Sequence, residues 1–243
     1  MPSPGLAAAL ADLDTVFNGF ASPDETPCPL CHLPEETAYL RTPYTRIPVD
    51  VVNRYLYEAP GHFADHAAAM RRLPPQGARV MVEGGLHGVG WGRHGLSNVD
   101  WRTWPAEQAA AVEAFVLAWW EEVLTAPEPP YPAHHIVETC AMILRGLTPL
   151  LERWRPGPAA DAHLLTCVDW WMDDLLIDKS PFSWFVHGSE TALPELRAWL
   201  SRHAPARLRA LGETDLAIRA GLLALPYDDR WAHPYWYSAS ATN

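Results

Sequence analysis

Apolar residues recur at steps of three and four through most of this chain, the spacing that places them on one face of an α-helix. Leu6, Leu10, Leu13, Val16 and Phe17 form the first such stripe, over residues 5–20. Pro48 can open a helix reading VDVVNRYLYEA, and Gly61 separates it from a second, HFADHAAAMRRL, which Pro74 and Pro75 are expected to stop. The strongest stripe follows Pro105 and runs to about Leu124, with Val112, Phe115, Val116, Trp119, Trp120 and Val123 in register. HHIVETCAMILRGLTPLLERW carries another face, Ile136, Cys140, Ile143, Leu147, Leu150 and Trp154, which Pro149 should kink or split. Residues 159–178 bury Leu164, Leu165, Val168, Trp171, Met172, Leu175 and Leu176, and leave Asp169, Asp173 and Asp178 mainly on the other side. Two more helices are expected at 189–203 and 214–224, and Trp231, Tyr235, Trp236 and Tyr237 should dock the tail onto them.

No segment alternates with the period of a strand, so the pattern predicts an all-α protein. Antiparallel helices of this length form an irregular helical bundle or a short stack of antiparallel helix pairs. The glycines at 84, 85, 88, 90, 92 and 95 interrupt the helical pattern. They divide the expected single domain into an N-terminal part, 1–83, and a C-terminal helical part, 105–243, joined by a glycine-rich connector, 84–104.

Composition narrows the function. The 243 residues carry 18 basic and 29 acidic side chains, a net charge of −11. Nucleic acid is therefore excluded as a partner, because a phosphate backbone needs a basic surface to displace its counterions. A basic protein partner fits better. No run of about 18 apolar residues is present, so no membrane partner is expected. The N-terminal MPSPGLAAALADL lacks a basic region and contains Asp12, so it does not read as a secretory signal and a cytoplasmic location is expected. In that setting Cys28, Cys31, Cys140 and Cys167 should be free thiols.

The chemistry-bearing stretch is CPLCHLPEE, residues 28–36. Cys-x-x-Cys-His is the string for covalent haem attachment, but that chemistry belongs to exported proteins. A redox pair needs a βαβ unit that the pattern lacks. Zinc suits the stretch better, since a Cys-x-x-Cys knuckle supplies two thiolates to a tetrahedral ion. His62 and His66 fall four apart on an expected helix and share a face. Cys28, Cys31, His62 and His66 are thus the predicted metal ligands, zinc the predicted cofactor, and His32 a further ligand candidate.

Other motifs point less far. GGLHGVGWGRHG follows no strand and lacks Gly-Lys-Ser/Thr, so it is neither a dinucleotide fingerprint nor a P-loop. His87 and His94 within it are the candidate catalytic acid–base groups. DWWMDDLLID is similar to the aspartate-rich magnesium motif of terpene synthases, but the chain is short for that fold and carries no second such motif after it, so a solvated acidic face is the reading preferred. His134, His135 and Glu138 have the spacing of helix-borne metal ligands but no partnering Glu-x-x-His helix.

The stretches CPLCHLPEE, LRTPYTRIPVDVVNRYL and RRLP together resemble a widespread set of uncharacterised bacterial helical proteins with an N-terminal Cys-x-x-Cys knuckle. The resemblance covers mainly residues 28–74. It implies a helical fold and a role for Cys28 and Cys31, and brings no known activity. Pro75 and Gln76 depart from the set, which continues there with a basic residue and more helix. The expectation is an α-helical protein-interaction protein, of adaptor or immunity type, with a zinc knuckle at its N-terminal end. The alternative is a small-molecule or metal-dependent enzyme with its pocket near His87 and His94.

Overall fold

The first helix start is written locally. Ser3 accepts a hydrogen bond from the Leu6 N–H at 3.3 Å, and Pro4 takes the first helical position, where its missing N–H costs nothing. The first apolar stripe therefore opens as α1 (Pro4–Val16). The computed structural model describes residues 1–26, 28, 30–182 and 189–239. It is all-α, with no strand among the described residues.

The chain falls into two compact units, Met1–Arg145 and Gly146–Asn243. The first contains α1, α2 (Pro34–Arg41), α3 (Val49–Tyr57), α4 (His66–Arg72), α5 (Pro74–Val82), α6 (Ala106–Thr125) and α7 (Ala133–Leu144). Its core helix is α6, which packs against both α1 and α7. The α6 stripe of Val112, Phe115, Val116, Trp119, Trp120 and Val123 is buried as its periodicity requires. Burying an aliphatic or aromatic side chain of this kind contributes roughly 1.5–3 kcal/mol.

Pro74 and Pro75, expected to stop a helix, also start one. Leu73 is the last residue of the α4 turn and caps α5, whose first positions the two prolines occupy. Proline at the first turn sacrifices no hydrogen bond, so the same pair ends α4 and opens α5. Gly77 on α5 is pressed against Leu56 of α3, where an added Cβ would sit 3.1 Å from a leucine methyl.

The glycine-rich segment lies wholly inside the first unit. It folds into short 3-10 turns at Gly95–Asn98 and Trp101–Thr103. Leu86, Val89, Leu96, Val99 and Trp101 along it are buried. Gly90 has φ +75°, and a Cβ there would overlap the His135 ring at 2.3 Å, so glycine is required on both counts. The Gly90 N–H donates to Thr139 Oγ1 at 3.1 Å, and the Leu86 N–H to Tyr131 Oη at 2.8 Å. These bonds, made to residues on and just before α7, pin the segment down as part of the core.

The long stripe of residues 134–154 divides before its proline. Arg145 ends α7 in the left-handed conformation, φ 53°, and Pro149 then opens the single turn α8 (Thr148–Leu151). The second unit continues with α9 (Pro158–Leu176), α10 (Ser189–Ala210), α11 (Thr214–Leu222), α12 (Tyr227–Trp231) and α13 (Tyr235–Ala239). The expected end of α10 at residue 203 is overrun, with Pro205 inside the helix. Leu196, Leu200, Ala204 and Leu208 continue one fully buried stripe through it. Their burial outweighs the roughly 3 kcal/mol that an interior proline costs.

Candidate metal centre

The knuckle is made by its own backbone. The Cys31 and His32 N–H groups both donate to the Cys28 carbonyl, at 3.2 and 3.0 Å. This turns the chain so that both sulfurs face the same way before α2 begins. The arm that carries it is tied down by Glu25, a buried carboxylate that accepts the Ala64 N–H at 2.7 Å and the Asp65 N–H at 3.4 Å. Those two residues follow the 3-10 turn Pro60–His62. A buried acid on one segment thus draws in the backbone of the other and brings His62 to the cysteines.

Cys31 Sγ lies 3.0 Å from His62 Nδ1, and one ligand-type atom from each of Cys28, Cys31 and His62 lies within 4.8 Å of the others. Among the described residues this is the grouping of histidine, cysteine or carboxylate side chains with the geometry to share a metal ion. Both thiols are free and half-buried, so an ion can reach them from solvent. Their acidities differ. A hydrogen bond from the Leu30 backbone lowers the Cys28 pKa, whereas removal from water, with the neighbouring Cys28 acting in the same direction, raises that of Cys31. A bound cation would favour the thiolate of both.

His66 lies outside this group, which corrects its expected place as a ligand. The sequence pattern puts His62 and His66 on one continuous helix. In the structure His62 ends a 3-10 turn, and Asp65 caps α4 through the Ala68 N–H at 2.9 Å, so His66 begins a separate element. Its ring packs on Phe63 at 5.0 Å, and burial lowers its pKa. His32 stays close to the centre. Its ring rests on Tyr55 at 4.7 Å and Phe63 at 5.7 Å, and burial lowers its pKa. Glu58, which the sequence does not single out, reaches the site from the end of α3, with Oε1 2.8 Å from His62 Nδ1.

The two candidate catalytic histidines do not converge. His87 is exposed, and its backbone N–H donates to Asn53 Oδ1 at 2.8 Å. His94 is buried beside Tyr57, and borders a cavity of about 10 Å³ whose other walls include Leu13, Leu56, Met70 and Phe115. Such a space is about one water in size and apolar, which does not suit acid–base work on a substrate. The acidic stretch of α9 is engaged elsewhere: Asp173 pairs with Arg219, and Asp178 with Arg197 and Arg230. The His134 and His135 rings meet edge to face at 4.3 Å.

His94 does make a testable contribution to stability. Its Nδ1 accepts the Leu96 N–H at 3.2 Å, so the neutral ring carries its proton on Nε2. Burial pushes its pKa down to about 4. Between that value and the ordinary one near 6.5, the unfolded chain binds a proton that the folded chain refuses. Stability from this group is therefore full above about pH 6.5 and falls as the pH drops toward 4, by roughly 3 kcal/mol in all. Urea midpoints of wild type and His94→Gln at pH 7 and pH 4.5 check this. The wild type should lose more stability than the variant, and parallel losses would contradict the assignment.

Compared with family models, curated proteins and solved structures, the chain has no match. No helix among the described residues is long and apolar enough to cross a membrane.

Proposed function

We propose that this is a zinc-containing α-helical binding protein. The metal fastens the knuckle at residues 28–32 to the turn that carries His62, and the protein acts by recognising another protein. The observation that carries the metal assignment is the 3.0 Å approach of Cys31 Sγ to His62 Nδ1, with Cys28 in the same group. Thiolate and imidazole are the donor set zinc prefers. A cytoplasmic setting suits the site, since it keeps thiols reduced and free to bind.

Recognition is supported by what the knuckle presents. Leu30 at its tip is 91% exposed and Leu33 beside it 53%. Exposed apolar side chains beside a metal-fastened turn are suited to filling a pocket on a partner. The net charge of −11 favours a basic partner and speeds its approach. One observation favours an enzyme instead: two cysteines and a histidine leave a tetrahedral ion one open position, as catalytic zinc sites do.

Metal analysis of protein prepared anaerobically tests the proposal. About one zinc per chain is expected for wild type, and almost none for Cys31→Ser, because a thiolate ligand is lost. Equal metal content in the two proteins, or none in wild type, would remove the site.

A further inference from the structure

We infer that Glu58 supplies the fourth ligand, closing the site as a tetrahedron of two cysteines, one histidine and one glutamate, with His32 supporting the carboxylate from behind. This rests on the zinc assignment above and deepens it. A structural zinc site takes four protein donors, and the cluster of Cys28, Cys31 and His62 offers three.

The fourth is indicated by crowding around one nitrogen. His62 Nδ1 lies 3.0 Å from Cys31 Sγ and 2.8 Å from Glu58 Oε1. A neutral imidazole nitrogen has either one proton or one lone pair, so the two neighbours compete for it. A cation can be shared by all three once the Glu58 side chain turns inward, because its carboxylate lies just outside the group formed by Cys28, Cys31 and His62. The carboxylate is also aimed. Glu58 caps α3 with an extended backbone, φ −77° and ψ 148°, and its Oε1 accepts the Ala59 N–H at 2.9 Å. Its side chain is only 17% exposed. Without a counter-ion, this would be an acid held beside two thiols.

The second observation is His32. Its side chain is 2% exposed, and its Nε2 is buried without a hydrogen-bond partner, 3.7 Å from Glu58 Oε2. A buried polar atom left unpaired forfeits its hydration without compensation, so its position beside a carboxylate calls for an explanation. A histidine donating to the free oxygen of a ligating carboxylate is an arrangement that orients metal ligands. Tyr55 and Phe63 hold the His32 ring in place for it. With Glu58 bound, no coordination position stays open, and the metal is structural.

The test is cobalt(II) titration of the full-length protein, read by visible absorption and by competition with a chelator. Wild type should give the intense bands of tetrahedral cobalt. Glu58→Ala should weaken binding by more than about 100-fold and lose that intensity, with Glu58→Gln intermediate. His32→Gln should cost about 10–100-fold with the tetrahedral spectrum kept. His66→Ala should change neither. Wild-type affinity and spectrum in Glu58→Ala would overturn the inference while leaving the zinc site standing. Wild type that binds no cobalt would overturn both.

Discussion

Arg230→Ala is expected to destabilise the C-terminal unit by about 3–5 kcal/mol, one of the largest effects of any single substitution in the chain. The guanidinium is fully buried at 0% exposure. It donates to the carbonyls of Leu175, at 3.3 Å, and Leu176, both in the last turn of α9, where Leu175 also accepts the Asp178 N–H at 3.3 Å. It also donates to the Leu225 carbonyl at 3.2 Å and pairs with Asp178 at 3.2 Å. The Trp236 indole N–H donates to the Arg230 carbonyl at 2.8 Å, so the arginine anchors the tail as well. Removing it takes the donor from the buried Leu176 carbonyl, leaves Asp178 to Arg197 alone and empties a fully buried position, and a buried acceptor left unpaired costs about 1–3 kcal/mol by itself. Arg230→Lys should recover little, because one ammonium cannot reproduce the planar fork that reaches all of these acceptors. Urea unfolding of the full chain, followed by tryptophan fluorescence, reads the loss. A change within about 0.5 kcal/mol, the range of ordinary surface substitutions, would contradict the role given to Arg230.

Trp101→Ala should destabilise the N-terminal unit by about 3–5 kcal/mol, as large-to-small changes at buried aromatics do. Trp101 is 1% exposed although it stands at the end of a glycine-rich stretch. Its indole N–H donates to the Ile143 carbonyl at 3.0 Å. Next to it, Arg102 lies over the Trp101 ring at 4.2 Å and donates to the Leu144 carbonyl at 2.6 Å. The pair therefore caps the C-terminal end of α7 while filling the core. Trp101→Phe keeps part of the ring volume but loses the hydrogen bond, and should cost less, about 1–2 kcal/mol. Circular dichroism melts of the two variants separate packing from capping. Wild-type melting of Trp101→Ala would mean that the segment is dispensable to the fold.

Those two residues also mark the limit of what can be read from the sequence. The stripes of α6 and α9 are legible because their apolar positions repeat over several turns, and Trp119 and Trp171 are each 1% exposed as the pattern demands. Residues 84–104 are not legible, because irregular backbone has no period. Its burial depends on pairings such as Gly90 with Thr139, which are distant in sequence. Arg230 is hidden for a related reason. A buried arginine looks like any charged residue until the carbonyls around it are known, and the aromatic residues beside it are the more conspicuous candidates for burial. Yet Trp231 is only half-buried and Tyr237 is 70% exposed. Pro74 and Pro75 mislead because proline both ends and begins helices.

The metal centre is partly legible. Cys28 and Cys31 announce themselves by spacing, and His62 joins them as the nearest downstream histidine pair suggests. His66 follows only on the assumption of one helix, which the Asp65 cap breaks. Glu58 gives no signal, since a glutamate in the sequence EAPGH has many uses and only its 2.8 Å approach to His62 singles it out.

X-ray absorption at the zinc edge, on protein purified anaerobically from zinc-containing medium, tests the central claim most directly. The expected result is a four-coordinate ion with two sulfur ligands at about 2.3 Å and two nitrogen or oxygen ligands at about 2.0–2.2 Å. A shell with no sulfur, or protein that carries no zinc, would contradict it.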